Sequence, residues 1–129
     1  MAAIEQIQFG ASIISTVFCR LGEQVEEAMK AGIRLIHMDI MDGLLVPNLD
    51  MGPDVALQPL KNKYVAQIHA HLMITDPDRY ITNFVHAGAD GIKVNVEACP
   101  QCCFVHKTTF MNTLTQLTSV KVTVVLNSE

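Results

Sequence analysis

No stretch of the sequence approaches the about 18 consecutive apolar residues of a membrane-spanning helix. The opening MAAIEQIQFG also lacks the basic segment and apolar run of a secretory leader. A cytoplasmic address and no membrane partner are therefore expected. Basic residues are few, nine Lys and Arg against thirteen Asp and Glu, for a formal net charge of −4. They are scattered, with no basic stripe to follow a phosphodiester backbone, so nucleic acid is not an expected partner. The phosphate of a small metabolite stays within reach of such a surface. Cysteine is limited to four residues, and without a leader these read as reduced thiols rather than as a disulfide framework. Cys99, Cys102 and Cys103 cluster, with His106 close behind. A structural zinc site there would need a second ligand pair, which the sequence lacks, so a loop with incidental thiols is the better reading than a thiol-based metal or redox module.

What is present is a chain of 129 residues, 50% apolar, consistent with one compact domain over 1–129. Strand and helix patterns alternate along it. Residues 7–14 form a short apolar run suited to a strand. Residues 17–31 carry Phe18, Leu21, Val25, Ala28 and Met29 at helical spacing, closed by Gly32. A strand at 34–41, a loop at 42–53 punctuated by Gly, Pro and Asn, and a short helix at 54–60 follow. The alternation then repeats with a strand at 64–74, a helix at 77–87 closed by Gly88, a strand at 91–98, a helix at 108–117 and a strand at 120–126. A parallel neighbour is reached only through a crossover, usually helical, so five strands and four intervening helices predict an α/β fold built of parallel β/α units.

The period of two within three strands separates a polar from an apolar face. His37, Asp39 and Met41 alternate with Ile36, Met38 and Ile40; His69, His71 and Met73 oppose an apolar set; Lys93, Asn95 and Glu97 fall together. Such strands, each followed by a helix, suit a (β/α)8 barrel whose outer faces pack on helices and whose inner faces hold a polar site. His37 and Asp39 near the end of the second strand, with His71 at the matching end of the third, put two imidazoles and a carboxylate on adjacent inward positions. That is a ligand set for one divalent ion such as zinc, iron, manganese or cobalt. His69, taken alone, reads better as a hydrogen-bonded histidine than as a ligand.

Several motifs resemble, in order and spacing, the first half of the ribulose-phosphate 3-epimerases. They are Ala11-Ser12-Ile13-Ile14-Ser15, Arg20-Leu21-Gly22-Glu23, Ile36-His37-Met38-Asp39-Ile40-Met41-Asp42-Gly43, Val46-Pro47-Asn48, Met51-Gly52-Pro53, His71-Leu72-Met73 and Ala87-Gly88-Ala89-Asp90. The resemblance implies a ribulose-phosphate-binding TIM barrel, represented here by about its first five strands and four helices. It implies epimerisation at C3 of a ketose phosphate, D-ribulose 5-phosphate to D-xylulose 5-phosphate, through an enediolate. Relatives acting on allulose 6-phosphate share the motifs. By the same resemblance His37, Asp39 and His71 bind the divalent metal and Asp39 is the catalytic base. Ser12 and His71 contact substrate, Met41 and Met73 set their sulfurs beside the reacting carbons, and Pro47 and Asn48 shape a loop over the site. Leu44 and Asn95 stand where the family pattern has histidine, and Val17 where it has an acid.

A complete barrel of this type takes about 250 residues. The resemblance implies that the second acid and a fourth ligand lie on strands beyond this half, as do the phosphate-binding loops of such barrels. Unpaired first and fifth strands invite pairing with another chain, so a homo-oligomer or a partner completing the barrel is expected, or else a marginally stable product of truncation. A non-catalytic half barrel that binds metal or a full-length epimerase is the alternative function.

Overall fold

The structure is a computed structural model and describes residues 8–98 and 121–125. Five strands, β1 (Gly10–Ser12), β2 (Leu35–Met41), β3 (Gln67–Met73), β4 (Gly91–Asn95) and β5 (Lys121–Val125), form one sheet. Every pairing is parallel and the spatial order follows the chain, β1-β2-β3-β4-β5. A doubly wound open sheet reverses its strand order at a switch point. Consecutive order without reversal is instead that of the first half of a (β/α)8 barrel, as the polar and apolar strand faces suggested.

Three helices, α1 (Leu21–Lys30), α2 (Leu57–Lys63) and α3 (Asp78–His86), connect the first four strands. Ile36, Met38, Ile40, Ile68, Ala70, Leu72, Ile92 and Val94 from one sheet face join Leu21, Val25, Leu57, Leu60, Ile81 and Phe84 from the helices in one buried cluster. The other face carries the partly exposed His37, Asp39, His69, His71 and Lys93. The period of two therefore becomes a real division between a helix-covered face and a polar one. Helices α1 and α3 end alike: the N–H of Gly32 bonds Met29 and that of Ile33 bonds Ala28, while Gly88 bonds Val85 and Ala89 bonds Phe84. Both glycines have positive φ, 101° and 104°, the left-handed step that a Schellman cap requires and that a Cβ resists.

Several boundaries differ from expectation. The helix expected over 17–31 begins as a 3-10 turn at Phe18–Arg20, and Phe18 is exposed rather than on the core stripe. The helix expected at 54–60 runs from Leu57 to Lys63. Pro59 lies in its first turn, where its missing N–H has no intrahelical role. The strand expected from 64 starts at Gln67, because the Tyr64 N–H bonds Leu60 and caps α2 while Gln67 bonds Arg34, just before β2. β4 stops at Asn95, and Val96–Ala98 form a 3-10 turn, so Glu97 does not extend the polar face of Lys93 and Asn95. The helix expected at 108–117 and the cluster of Cys99, Cys102, Cys103 and His106 lie outside the described residues. Among the described residues, no helix is long and apolar enough to cross a membrane.

Candidate metal centre

Sheet register assembles the site. Asp39 of β2 faces His71 of β3, and Met41 faces Met73 two residues further along the same face. One row earlier, Ser12 of β1 faces His37, which faces His69. Asp39 is the hub of the polar contacts. Its Oδ2 accepts a hydrogen bond from Ser12 Oγ at 3.0 Å and lies 3.3 Å from His37 Nδ1; its Oδ1 lies 3.3 Å from His71 Nδ1. The imidazoles meet edge-on, with ring centroids 5.8 Å apart and planes inclined by 62°. All three side chains are partly buried, so they are shielded while still open to a small ligand.

The donor atoms of His37, Asp39 and His71 lie within 4.8 Å of one another, the one such group of metal-ligating side chains among the described residues. Each histidine Nδ1 lies 3.3 Å from one oxygen of Asp39, His37 from Oδ2 and His71 from Oδ1, and two metal bonds of about 2.0–2.1 Å at a tetrahedral angle leave their donors about 3.3–3.4 Å apart. Two neutral nitrogens and a carboxylate also suit zinc, iron, manganese or cobalt better than the oxygen-preferring calcium or magnesium. The residues present therefore fit a divalent transition metal. His69 lies outside this group: its ring sits over Gly91, where an added Cβ would come within 2.7 Å of its Cδ2. Of the other residues expected at the site, Ser12 joins the network directly, whereas Met41 and Met73 flank it one pair beyond.

Two residues without an expected role stand out. Asn95 reaches His71 Nε2 with its Oδ1 at 2.7 Å. Asp42 ties the segment after β2 to the one after β3: Oδ1 accepts from the N–H groups of Leu44 and Leu45, and Oδ2 accepts from Thr75 N–H at 2.7 Å and Thr75 Oγ1 at 2.9 Å. Asp42 belonged to a recognised motif, but its partner 33 residues away has no local signal. These donors, led by the Thr75 N–H, hold the Asp42 carboxyl far below its ordinary value of 3.8. A carboxyl lowered on folding contributes stability above its unfolded value and loses it as pH falls towards the folded one. Stability is thus expected to decline as pH drops below about 4, and this decline should be shallower in Asp42→Asn. Urea midpoints at pH 7 and at several acidic values check it; parallel curves for the two proteins would show that the clasp contributes nothing.

Comparison with known proteins agrees with this geometry. Residues 8–129 match the Ribulose-phosphate 3 epimerase family. The chain is 41% identical to the ribulose-phosphate 3-epimerase of Bacillus subtilis (strain 168) over 123 residues, 94% of this chain and 52% of that protein. It is 43% identical to that of Synechocystis sp. over 95 residues, 72% of this chain and 40% of the relative. It is 40% identical to the chloroplastic ribulose-5-phosphate-3-epimerase of Arabidopsis thaliana over 118 residues, 90% and 40% of the two chains. The chain thus spans about half or less of the length of these curated relatives. With a match over nearly its whole length and the His-Asp-His group at the strand positions the motifs indicate, the chain belongs to the ribulose-phosphate 3-epimerase family.

Proposed function

We propose that this chain supplies the metal-binding part of an epimerase site that acts at C3 of a ketose phosphate, interconverting D-ribulose 5-phosphate and D-xylulose 5-phosphate. The observation that carries this reading is the placement of Asp39 between His37 and His71 on neighbouring strands, with donors within 4.8 Å. His37, Asp39 and His71 would hold one divalent ion. When bound, the ion would supply positive charge that favours loss of the C3 proton.

The chain's own residues serve one face of the reacting carbon. Asp39 takes the C3 proton. The Ser12 hydroxyl, 3.0 Å from Oδ2, orients that carboxylate and would also meet a substrate hydroxyl. Met41 and Met73, paired across β2 and β3, give the reacting carbons a polarisable, water-excluding wall. Inversion needs an acid on the opposite face as well, which residues outside the His-Asp-His group must provide. Among the described residues β1 and β5 are the outer strands of the sheet, and their outer edges are where a completing partner, or a second copy of the chain, would pair.

Proton exchange tests the reading. The 129-residue chain, loaded with zinc, manganese or iron, is mixed with D-ribulose 5-phosphate in D2O and the C3 proton is followed by NMR. Exchange with inversion means that a second acid is present in the folded or assembled chain. Exchange without inversion means that Asp39 and the metal act as a half-site. No exchange from a folded, metal-loaded sample overturns the catalytic reading and leaves a non-catalytic half barrel that binds metal or a full-length epimerase.

A further inference from the structure

We infer that Asn95 is a positioning residue for the metal centre, fixing the tautomer and ring angle of His71 so that Nε2 carries the hydrogen and the Nδ1 lone pair faces Asp39 and His37. The inference rests on the metal-binding reading above and deepens it. Asn95 is the last residue of β4 and is 3% exposed, the one fully buried polar side chain among the described residues. Burying an amide is costly unless its hydrogen-bonding groups are used. Here its carbonyl oxygen lies 2.7 Å from His71 Nε2, the shortest contact in the polar cluster.

A carbonyl oxygen only accepts, so this contact places the ring hydrogen on Nε2. A neutral imidazole then has its lone pair on Nδ1, the nitrogen 3.3 Å from Asp39 Oδ1 and on the side of the His-Asp-His group. Ligating histidines generally donate their other N–H to such an outer partner, which sets the tautomer and holds the ring. Each ligand strand therefore has its own orienting contact: β1 supplies Ser12 to Asp39, and β4 supplies Asn95 to His71. An amide adds no charge to the site while doing so. Asn95 stands at one of the positions where this chain departs from the family pattern, and it serves the ligand on the adjacent strand from there.

Two readouts test this. Long-range 15N–1H NMR on the metal-free chain at about pH 8.5, above the ordinary histidine range, reports which His71 nitrogen carries hydrogen, with His71→Gln used for assignment. An Nε2–H tautomer is expected in the wild type; an Nδ1–H tautomer overturns the inference without needing any variant to fold. Zinc titration with a competing chelator is the second readout. Asn95→Leu, similar in size but without an acceptor, should weaken binding by about 10–100-fold, while Asn95→Asp, which keeps an acceptor oxygen, should stay within a few-fold of wild type. Unchanged affinity in Asn95→Leu overturns the inference. Wild-type protein that binds no zinc instead removes the metal-centre reading, and the tautomer spectrum still decides the role of Asn95.

Discussion

Replacing Asp39 with asparagine is expected to abolish stoichiometric zinc binding and, where the wild type exchanges the C3 proton, to slow that exchange by about 10²–10⁴-fold, the usual contribution of a positioned general base. Asp39 is where the contacts of Ser12, His37 and His71 meet. One oxygen receives the Ser12 hydroxyl and lies against His37; the other lies against His71. Asparagine preserves the shape but removes the charge, and one of its two positions becomes an NH2 donor that no metal accepts as a ligand. The fold should survive, because the apolar face of β2, with Ile36, Met38 and Ile40, is untouched. The check is zinc titration and deuterium exchange alongside far-ultraviolet circular dichroism. An Asp39→Asn protein that keeps both its folded spectrum and wild-type zinc affinity would remove Asp39 from the centre.

The second large effect concerns the layer that holds the site in place. Leu72→Ala is expected to cost about 2–5 kcal/mol, the range for truncating a fully buried leucine when its surroundings close only partly over the cavity. Leu72 has no exposed surface and sits in the cluster formed by the helices and one sheet face. It lies between His71 and Met73, which alternation sends to the opposite, polar face. The strand that carries a ligand is anchored through residues such as this one. Domains of ordinary size are stable by about 5–15 kcal/mol, so the loss would be a large share of the total. Urea unfolding should show a lower midpoint with an unchanged slope. A cost under about 1 kcal/mol would mean that the helix-covered face is not packed as a core.

Much of this organisation is written in short-range patterns. His37-Met38-Asp39-Ile40 and His69-Ala70-His71-Leu72 alternate strictly, so the faces and the convergence of the ligand trio follow from period two before any partner is known. The glycines after α1 and α3 likewise announce their helix ends, because the left-handed step is local. Boundaries set by tertiary context are not legible in this way. Tyr64 and Val65 are good strand formers, yet the chain uses Tyr64 to close α2 and leaves Val65 95% exposed. Val96 to Ala98 continue an alternating pattern but turn into a 3-10 helix.

The contacts that orient the site were the least visible. Asn95 and His71 are 24 residues apart, and Asp42 and Thr75 are 33 apart. An asparagine on the polar face of a strand and an aspartate before a glycine carry no sign of a distant partner. Their roles exist only once parallel register brings β3 beside β2 and β4. The family motifs did mark the candidate ligands, because a His-x-Asp spacing on one strand and a histidine on the next can be read without knowing the outer partners.

X-ray absorption of the zinc-loaded chain tests the central claim most directly, because the same chain also carries the thiols Cys99, Cys102 and Cys103 as competing ligands. The expected spectrum has a first shell of nitrogen and oxygen at about 2.0–2.1 Å with the outer scattering of two imidazoles, and Asp39→Asn should lose it. A sulfur shell at about 2.3 Å, or a nitrogen and oxygen shell that persists in Asp39→Asn, would place the metal elsewhere and contradict a centre built on His37, Asp39 and His71.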